Sequence, residues 1–210
     1  SLTSCGLLDV ELTGTLQENT YYNSEQQLQT ALNGVYATLA ESYLYGNYML
    51  GRLGLEADEG YNSYSSDVGS VSQYLAAPSD TKILSYWRKL YEGINKANLL
   101  LANIDKPDMD STKRENIKGQ AMFLRAYYYS MLVTRFGDVP LVLKLAKSGN
   151  AEEVQIPQTP TREIYDFIIS EMTQAAGKVS EVDQVESAGR VSKSAVYGVR
   201  SEERRVGKEC

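Results

Sequence analysis

At 210 residues and 42% apolar composition, the chain is long enough for one substantial hydrophobic core or for the first part of a larger protein. Its formal net charge is −6 and no Lys/Arg-rich cluster is interleaved with aromatics, which argues against a nucleic-acid role, because neutralising phosphates needs a basic surface. Histidine is absent, so Ser-His and Cys-His nucleophile pairs and the commonest zinc ligand are missing, and most hydrolase mechanisms are excluded within this chain.

Taken in order, the chain opens on Leu2-Thr3-Ser4-Cys5, which has the form of a bacterial lipobox with the acylated cysteine at Cys5; its signal peptide would precede Ser1. An exposed cysteine near a terminus is the competing reading, and spacing alone leaves both open. No stretch approaches the roughly 20 apolar residues of a membrane span, so membrane attachment is expected only through lipid. Residues 6–22 read as a polar, extended tether. Ser24 with Gln27 predicts a capping box, and a first helix follows from about Glu25 to Tyr43 with Leu28, Ala31, Leu32, Val35 and Leu39 inward.

From Gly46 to Thr81 the helical rhythm breaks into glycines and serines mixed with tyrosines. A segment this long without a full helix is usually functional or disordered, and its aromatic density argues against disorder. Tyrosine, present 16 times in the chain, carries an apolar ring and a polar tip; most copies are expected along helix–helix seams. In this loop Tyr61, Tyr64 and Tyr74 offer rings for stacking, and Asn62 and Asp67 offer hydroxyl partners. These five are the candidate ligand-binding residues, with packing beneath the loop as the alternative.

Two long helices form the centre of the chain. In the first, Trp87, Leu90, Tyr91, Ile94, Ala97, Leu101 and Ile104 make one apolar stripe. In the second, Ile117, Ala121, Leu124, Tyr128, Met131 and Leu132 make one stripe, while Phe123, Tyr127 and Val133 occupy a neighbouring face. That helix must be covered on more than one side, as in a stacked array. The run DMDSTKREN begins like a calcium loop but has Lys113 where the sharp turn needs glycine, so it reads as a helix start. Gly137 suits a left-handed C-cap and Pro140 forbids continuation. After a connection to Pro160, Thr161 is expected to cap a fourth helix with Ile164, Ile168, Met172 and Ala175 on one face. A fifth begins after Ser192 with Ala195, Val196 and Val199. Asp58-Glu59 and Asp108 with Asp110 are the acids that could form a glycosidase pair, but sequence neighbours point apart, and solvated loop acids are far commoner.

The order Cys5; ALNGVY; WRKLYEGINKANLLLANI; GQAMFLRAYYYSMLVTRFGDVPL; TREIYDFIISEM; GRVSKSAVYG resembles the N-terminal part of the SusD/RagB family of Bacteroidetes outer-membrane lipoproteins, over about Cys5 to Gly198. FLRAYYYSMLVTRFGDVPL is the most specific piece, followed by Trp87, Leu90, Tyr91, Ile94, Ala97 and Asn98. The resemblance favours lipidation of Cys5 and implies an all-α fold of tetratricopeptide-like helix pairs, which the doubly apolar helix suggests independently. It further implies a surface-exposed, lipid-anchored protein of the cell outer membrane that binds glycan or other nutrient cargo and passes it to a SusC-type TonB-dependent transporter. By the same resemblance it binds without cleaving; separately, no cofactor or metal is expected. The competing function is a helical-repeat scaffold that binds a protein or peptide in a concave groove. The expected organisation is a lipobox remnant and tether over 1–22, a truncated helical domain over 23–199 and a foreign charged tail over 200–210.

Overall fold

The computed structural model describes residues 21–48, 80–144, 156–185 and 189–209, with 203–209 given by backbone path alone. The fold is all-α, and among the described residues there are five helices: α1 (Glu25–Leu39), α2 (Thr81–Asn103), α3 (Ser111–Phe136), α4 (Thr161–Ala176) and α5 (Lys193–Glu209). Helix α3 is the centre of the array, packing along α2 and α4 and touching α1, while α1 also lies on α2, and α5 lies on α4. The two apolar faces of α3 account for this placement. Ile117, Ala121, Leu124, Tyr128, Met131 and Leu132 are buried, and so are Phe123 and Val133 on the second face.

Helix α1 begins where expected, but its capping box is only half formed. Ser24 Oγ accepts from Gln27 N at 3.2 Å, whereas Gln27 Oε1 accepts from the N–H of Asn23 at 2.7 Å, one residue before the cap. The helix also stops at Leu39 rather than Tyr43. The chain folds back through bonds from Tyr45 N to Leu39 O and Gly46 N to Glu41 O, seating Leu44 fully in the core. Gly46 permits this, since a Cβ there would come within 3.0 Å of the backbone of Ala40 and Glu41.

Helices α2 and α3 approach closely at Gly93. An added Cβ there would lie under 3.0 Å from the Tyr128 ring, whose hydroxyl donates to Val35 O at 2.6 Å and ties α3 to α1. The buried stripe of α2 contains Leu90, Ile94 and Ala97 as expected but turns toward Tyr86, Gly93 and Asn98. Trp87, Tyr91 and Leu101 are left half-buried at its margin. The expected helix start at DMDSTKREN is present, with Asp110 as N-cap accepting from Lys113 N at 2.9 Å.

A polar cluster joins three helices inside the core. Arg125 of α3 donates through Nε to Glu171 of α4 at 2.8 Å and pairs with it again through Nη2; Nη1 donates to Asn98 Oδ1 of α2 at 2.8 Å. Its guanidinium also lies 5.7 Å from the centre of the Phe167 ring. Asn98 in turn donates to Val142 O at 2.9 Å, and the Tyr129 hydroxyl donates to that carbonyl at 3.0 Å. The segment after α3 is therefore held to α2 and α3 by side chains, with buried donors and acceptors satisfied.

The Phe-Gly-Asp-Val-Pro run is a junction in which each residue has a separate task. Gly137 takes φ +68°, a conformation that L side chains rarely adopt, and closes α3 with a bond from its N–H to Val133 O. Val139 and Pro140 (β1) pair antiparallel with Gln158 and Thr159 (β2). Pro140 O accepts from the Tyr91 hydroxyl at 2.7 Å. Asp138 corrects the expected cap of α4. The N-cap position is Pro160, which offers no side-chain bond, and Asp138 Oδ1 accepts both the N–H and the hydroxyl of Thr161, each at 2.7 Å. Thr161 is thus the capped residue.

Helix α4 buries Ile164, Ile168, Met172 and Ala175 completely. In α5 Val196 is buried and Val199 half-buried, but Ala195 is exposed, contrary to expectation; the helix runs on to Glu209. Its approach is fixed by α1: Val191 N donates to the Tyr36 hydroxyl at 3.0 Å, and Arg190 lies 4.7 Å over the Tyr36 ring. No described helix is long and apolar enough to cross a membrane.

Candidate functional site

A surface that combines half-buried aromatic rings with hydrogen-bonding side chains lies along α2, beginning six residues after the helix start at Thr81. A shallow groove of about 470 Å³ is lined by Trp87, Tyr91 and Leu99, with Arg88, Glu92, Asn95 and Lys96 at its edges. The spacing i, i+4, i+8, i+12 of Trp87, Tyr91, Asn95 and Leu99 places them on one helical row, which the inward turn of Leu90, Ile94 and Ala97 leaves at the margin of the core.

The rings in this groove are held. Trp87 packs edge-on against Phe136 with centroids 4.9 Å apart, and lies 5.1 Å from Tyr91 at 44°. Tyr91 is fixed at its far end by its bond to Pro140 O and packs edge-on against Tyr129. Burial pushes the Tyr91 hydroxyl above the ordinary phenol range, so it stays a neutral donor. Glu92 pairs with Lys89 and Lys96, both at 2.8 Å, and these lysines hold its carboxyl below the usual range. Lys96 also donates to Thr38 Oγ1 of α1 at 3.1 Å. Arg88 and Asn95 are exposed. Fixed rings flanked by amide, guanidinium and carboxylate groups can take the apolar face of a sugar ring and bond its hydroxyls.

Tyr61, Asn62, Tyr64, Asp67, Tyr74 and Cys5 lie outside the described residues, as do Asp58 and Glu59. Asp108 and Asp110 are exposed, and Asp110 is committed to capping α3. The expected seam role of tyrosine is met widely, since among the described tyrosines only Tyr43 and Tyr197 are exposed. Among the described residues no group of three or more acidic or sulfur side chains is placed to hold a metal ion. Trp87 and Tyr91 belong to the expected apolar stripe of α2 but lie half-buried at its margin. The signal available was the coincidence of one Trp, Tyr91 and Asn95 on a single row of α2.

Residues 7–202 match the model of a SusD-like family described as starch-binding and associating with the outer membrane. The chain is 29% identical over 178 residues to SusD-like protein P2 of Formosa agariphila, covering 83% of this chain and 35% of that protein. Its fold superposes on a SusD homolog from Bacteroides thetaiotaomicron with a TM-score of 0.76 at 21% identity, covering 90% of this chain and 37% of the other. A laminarin-binding SusD-like protein gives a TM-score of 0.71 at 23% identity, covering 88% of this chain and 40% of the other. The chain thus spans about a third of the length of the curated relatives it matches.

Proposed function

The chain belongs to the SusD-like family, and on that premise we propose that it is the helical portion of a glycan-binding protein at the cell surface. The whole protein captures an oligosaccharide and passes it to a SusC-type TonB-dependent transporter, without cleaving it. The observation that carries this reading is the match of residues 7–202 to a family described as starch-binding and associating with the outer membrane; the laminarin binding of a protein with the same fold supports it. Anchoring follows through acylation of Cys5, as the Leu-Thr-Ser-Cys sequence suggests.

Within the chain, the cargo contacts are assigned to the α2 groove and, from the sequence alone, to the tyrosine-rich Gly46–Thr81 segment. Trp87 lies only about 9 Å along the helix from Thr81, at 1.5 Å per residue. Trp87 supplies the stacking face and Asn95 and Arg88 the hydroxyl contacts, joined by Tyr61, Tyr64, Tyr74, Asn62 and Asp67. Isothermal titration of the protein with laminarin or starch oligosaccharides tests the assignment. Trp87→Ala is expected to weaken binding by about 1–3 kcal/mol, the scale of one buried aromatic contact, with helix content unchanged by circular dichroism. Unchanged affinity in Trp87→Ala and in Tyr61→Ala and Tyr64→Ala removes this region from the cargo site.

A further inference from the structure

At the opposite end of α3 from Phe136, against which Trp87 packs, a cavity of about 410 Å³ lies between the start of α1, the first turns of α3 and the chain at residues 180–185 and 190–191. Its size falls at the lower end of small-molecule sites, roughly 300–1,000 Å³. Uncharged hydrogen-bonding side chains dominate its walls, among them Gln29, Asn116, Gln120 and Ser180. Three of these are ordered by one another: Gln120 donates to Asn116 Oδ1, Asn116 donates to Ser180 Oγ, and Gln120 Oε1 accepts from the Tyr36 hydroxyl at 2.7 Å. Each amide NH₂ has two donors, and each of these bonds uses only one.

Among the described lining residues the charged ones are cationic in balance, Lys113 and Arg190 against Glu25, in a chain whose net charge is −6. Arg190 is fixed by the Tyr36 ring beneath it and by a bond from Nη2 to Asn33, yet its buried Nη1 has no hydrogen-bond partner among the described residues. Nη1 itself is enclosed, and it is the planar guanidinium as a whole, which lines the cavity, that an acceptor there can meet. Thr112 and Lys113, in the first turn of α3, form part of the same wall, with the helix end itself already capped by Asp110.

We propose that this cavity binds a uronic acid unit of an acidic saccharide. The carboxylate meets the Arg190 guanidinium, and the ring hydroxyls bond Gln29, Asn116, Gln120 and Ser180. A singly charged anion fits better than a phosphate or sulfate, because Glu25 already engages Lys113 at 2.9 Å and leaves one cation in excess. The saccharide identity rests on the glycan-binding reading above; the anion requirement does not.

The test is isothermal titration of the chain with digalacturonate, with maltose as the neutral control. Digalacturonate is expected to bind, with Arg190→Gln weakening it by roughly tenfold or more and Trp87→Ala leaving it unchanged. Should Arg190→Gln fail to fold by circular dichroism, Lys113→Gln alters a 55% exposed side chain and is expected to give a loss of a few-fold in its place. The proposal is overturned if digalacturonate does not bind, if a folded Arg190→Gln (or, failing that, Lys113→Gln) leaves its affinity unchanged, or if Trp87→Ala weakens it equally. Loss of maltose or laminarin binding in Trp87→Ala with digalacturonate binding intact separates the two sites. A folded Arg190→Gln that keeps full digalacturonate affinity sinks this one alone.

Discussion

At the scale of single residues, two glycines with the same sequence character have opposite consequences. Gly93 faces the buried Tyr128 ring, which is held by its bond to Val35 O and cannot swing away, so Gly93→Ala overpacks the α2–α3 contact. A loss of about 1–3 kcal/mol in urea unfolding is expected. Gly34, in the middle of α1, has nothing within 4 Å of where an alanine methyl would sit, and Gly34→Ala should raise stability by about 0.4–1 kcal/mol by restricting the unfolded chain. Equal effects in the two variants would refute the packing argument. Arg125 and Glu171 make a second residue-scale case, with side chains only 12% and 7% exposed. Burial pushes the Glu171 carboxyl above the ordinary glutamate range, against the opposing pull of Arg125. A group raised in this way stabilises the fold fully below its unfolded pKa, and that contribution is lost as pH rises through the folded value. Arg125→Met strands the carboxylate and should cost about 3–5 kcal/mol at neutral pH. The cost should shrink as pH falls and Glu171 takes up a proton; a pH-independent loss would contradict the role assigned to the ion pair.

Among the elements, α4 depends most on a residue remote in sequence. Asp138 Oδ1 satisfies the N–H and hydroxyl of Thr161, and these two bonds hold its carboxyl below the usual aspartate range. The stabilisation is present above the unfolded pKa and lost as pH falls through the depressed folded one. Asp138→Ala should therefore lower the urea midpoint near neutral pH, and the difference from the parent should vanish under strongly acidic conditions; a difference that persists there would assign the effect to packing. This contact also marks the limit of what the sequence reveals. Helix periodicity locates α1 to α5 and the double burial of α3 because those depend on local spacing, as do the helix start at DMDSTKREN and the positive φ of Gly137. The cap of α4 was assigned to Thr161 because a bond spanning 23 residues leaves no local pattern. For the same reason Trp87 and Tyr91 read as core. Only the tertiary choice of Tyr86, Gly93 and Asn98 as the inward edge moves them to the groove. The loop tyrosines stood out by composition, a signal that marks a segment without fixing where its side chains point.

Over the whole molecule, the array has an inside and an outside of unequal stability. Helix α3 is covered by α1, α2 and α4, while α5 packs on α4 and buries Val196 at its start. Local opening free energy scales with the apolar contact that must be broken, so the amides of α3 from Ile117 to Val133 can open only when neighbouring helices leave. The Arg125 cluster strengthens this coupling, because separating α3 from either α2 or α4 exposes a polar group paired across the seam. Native-state hydrogen exchange should accordingly find the slowest amides in α3, with those of α2 and α4 that face it next, and α1 and α5 opening at lower free energy without unfolding the centre. The Trp87 row lies on the outer side of α2, so ligand binding there should slow exchange in α2 first and reach α3 only through the global unfolding limit. Protection of α5 equal to that of α3 would mean that the array unfolds as one unit, and that the central helix is not where its cooperativity resides.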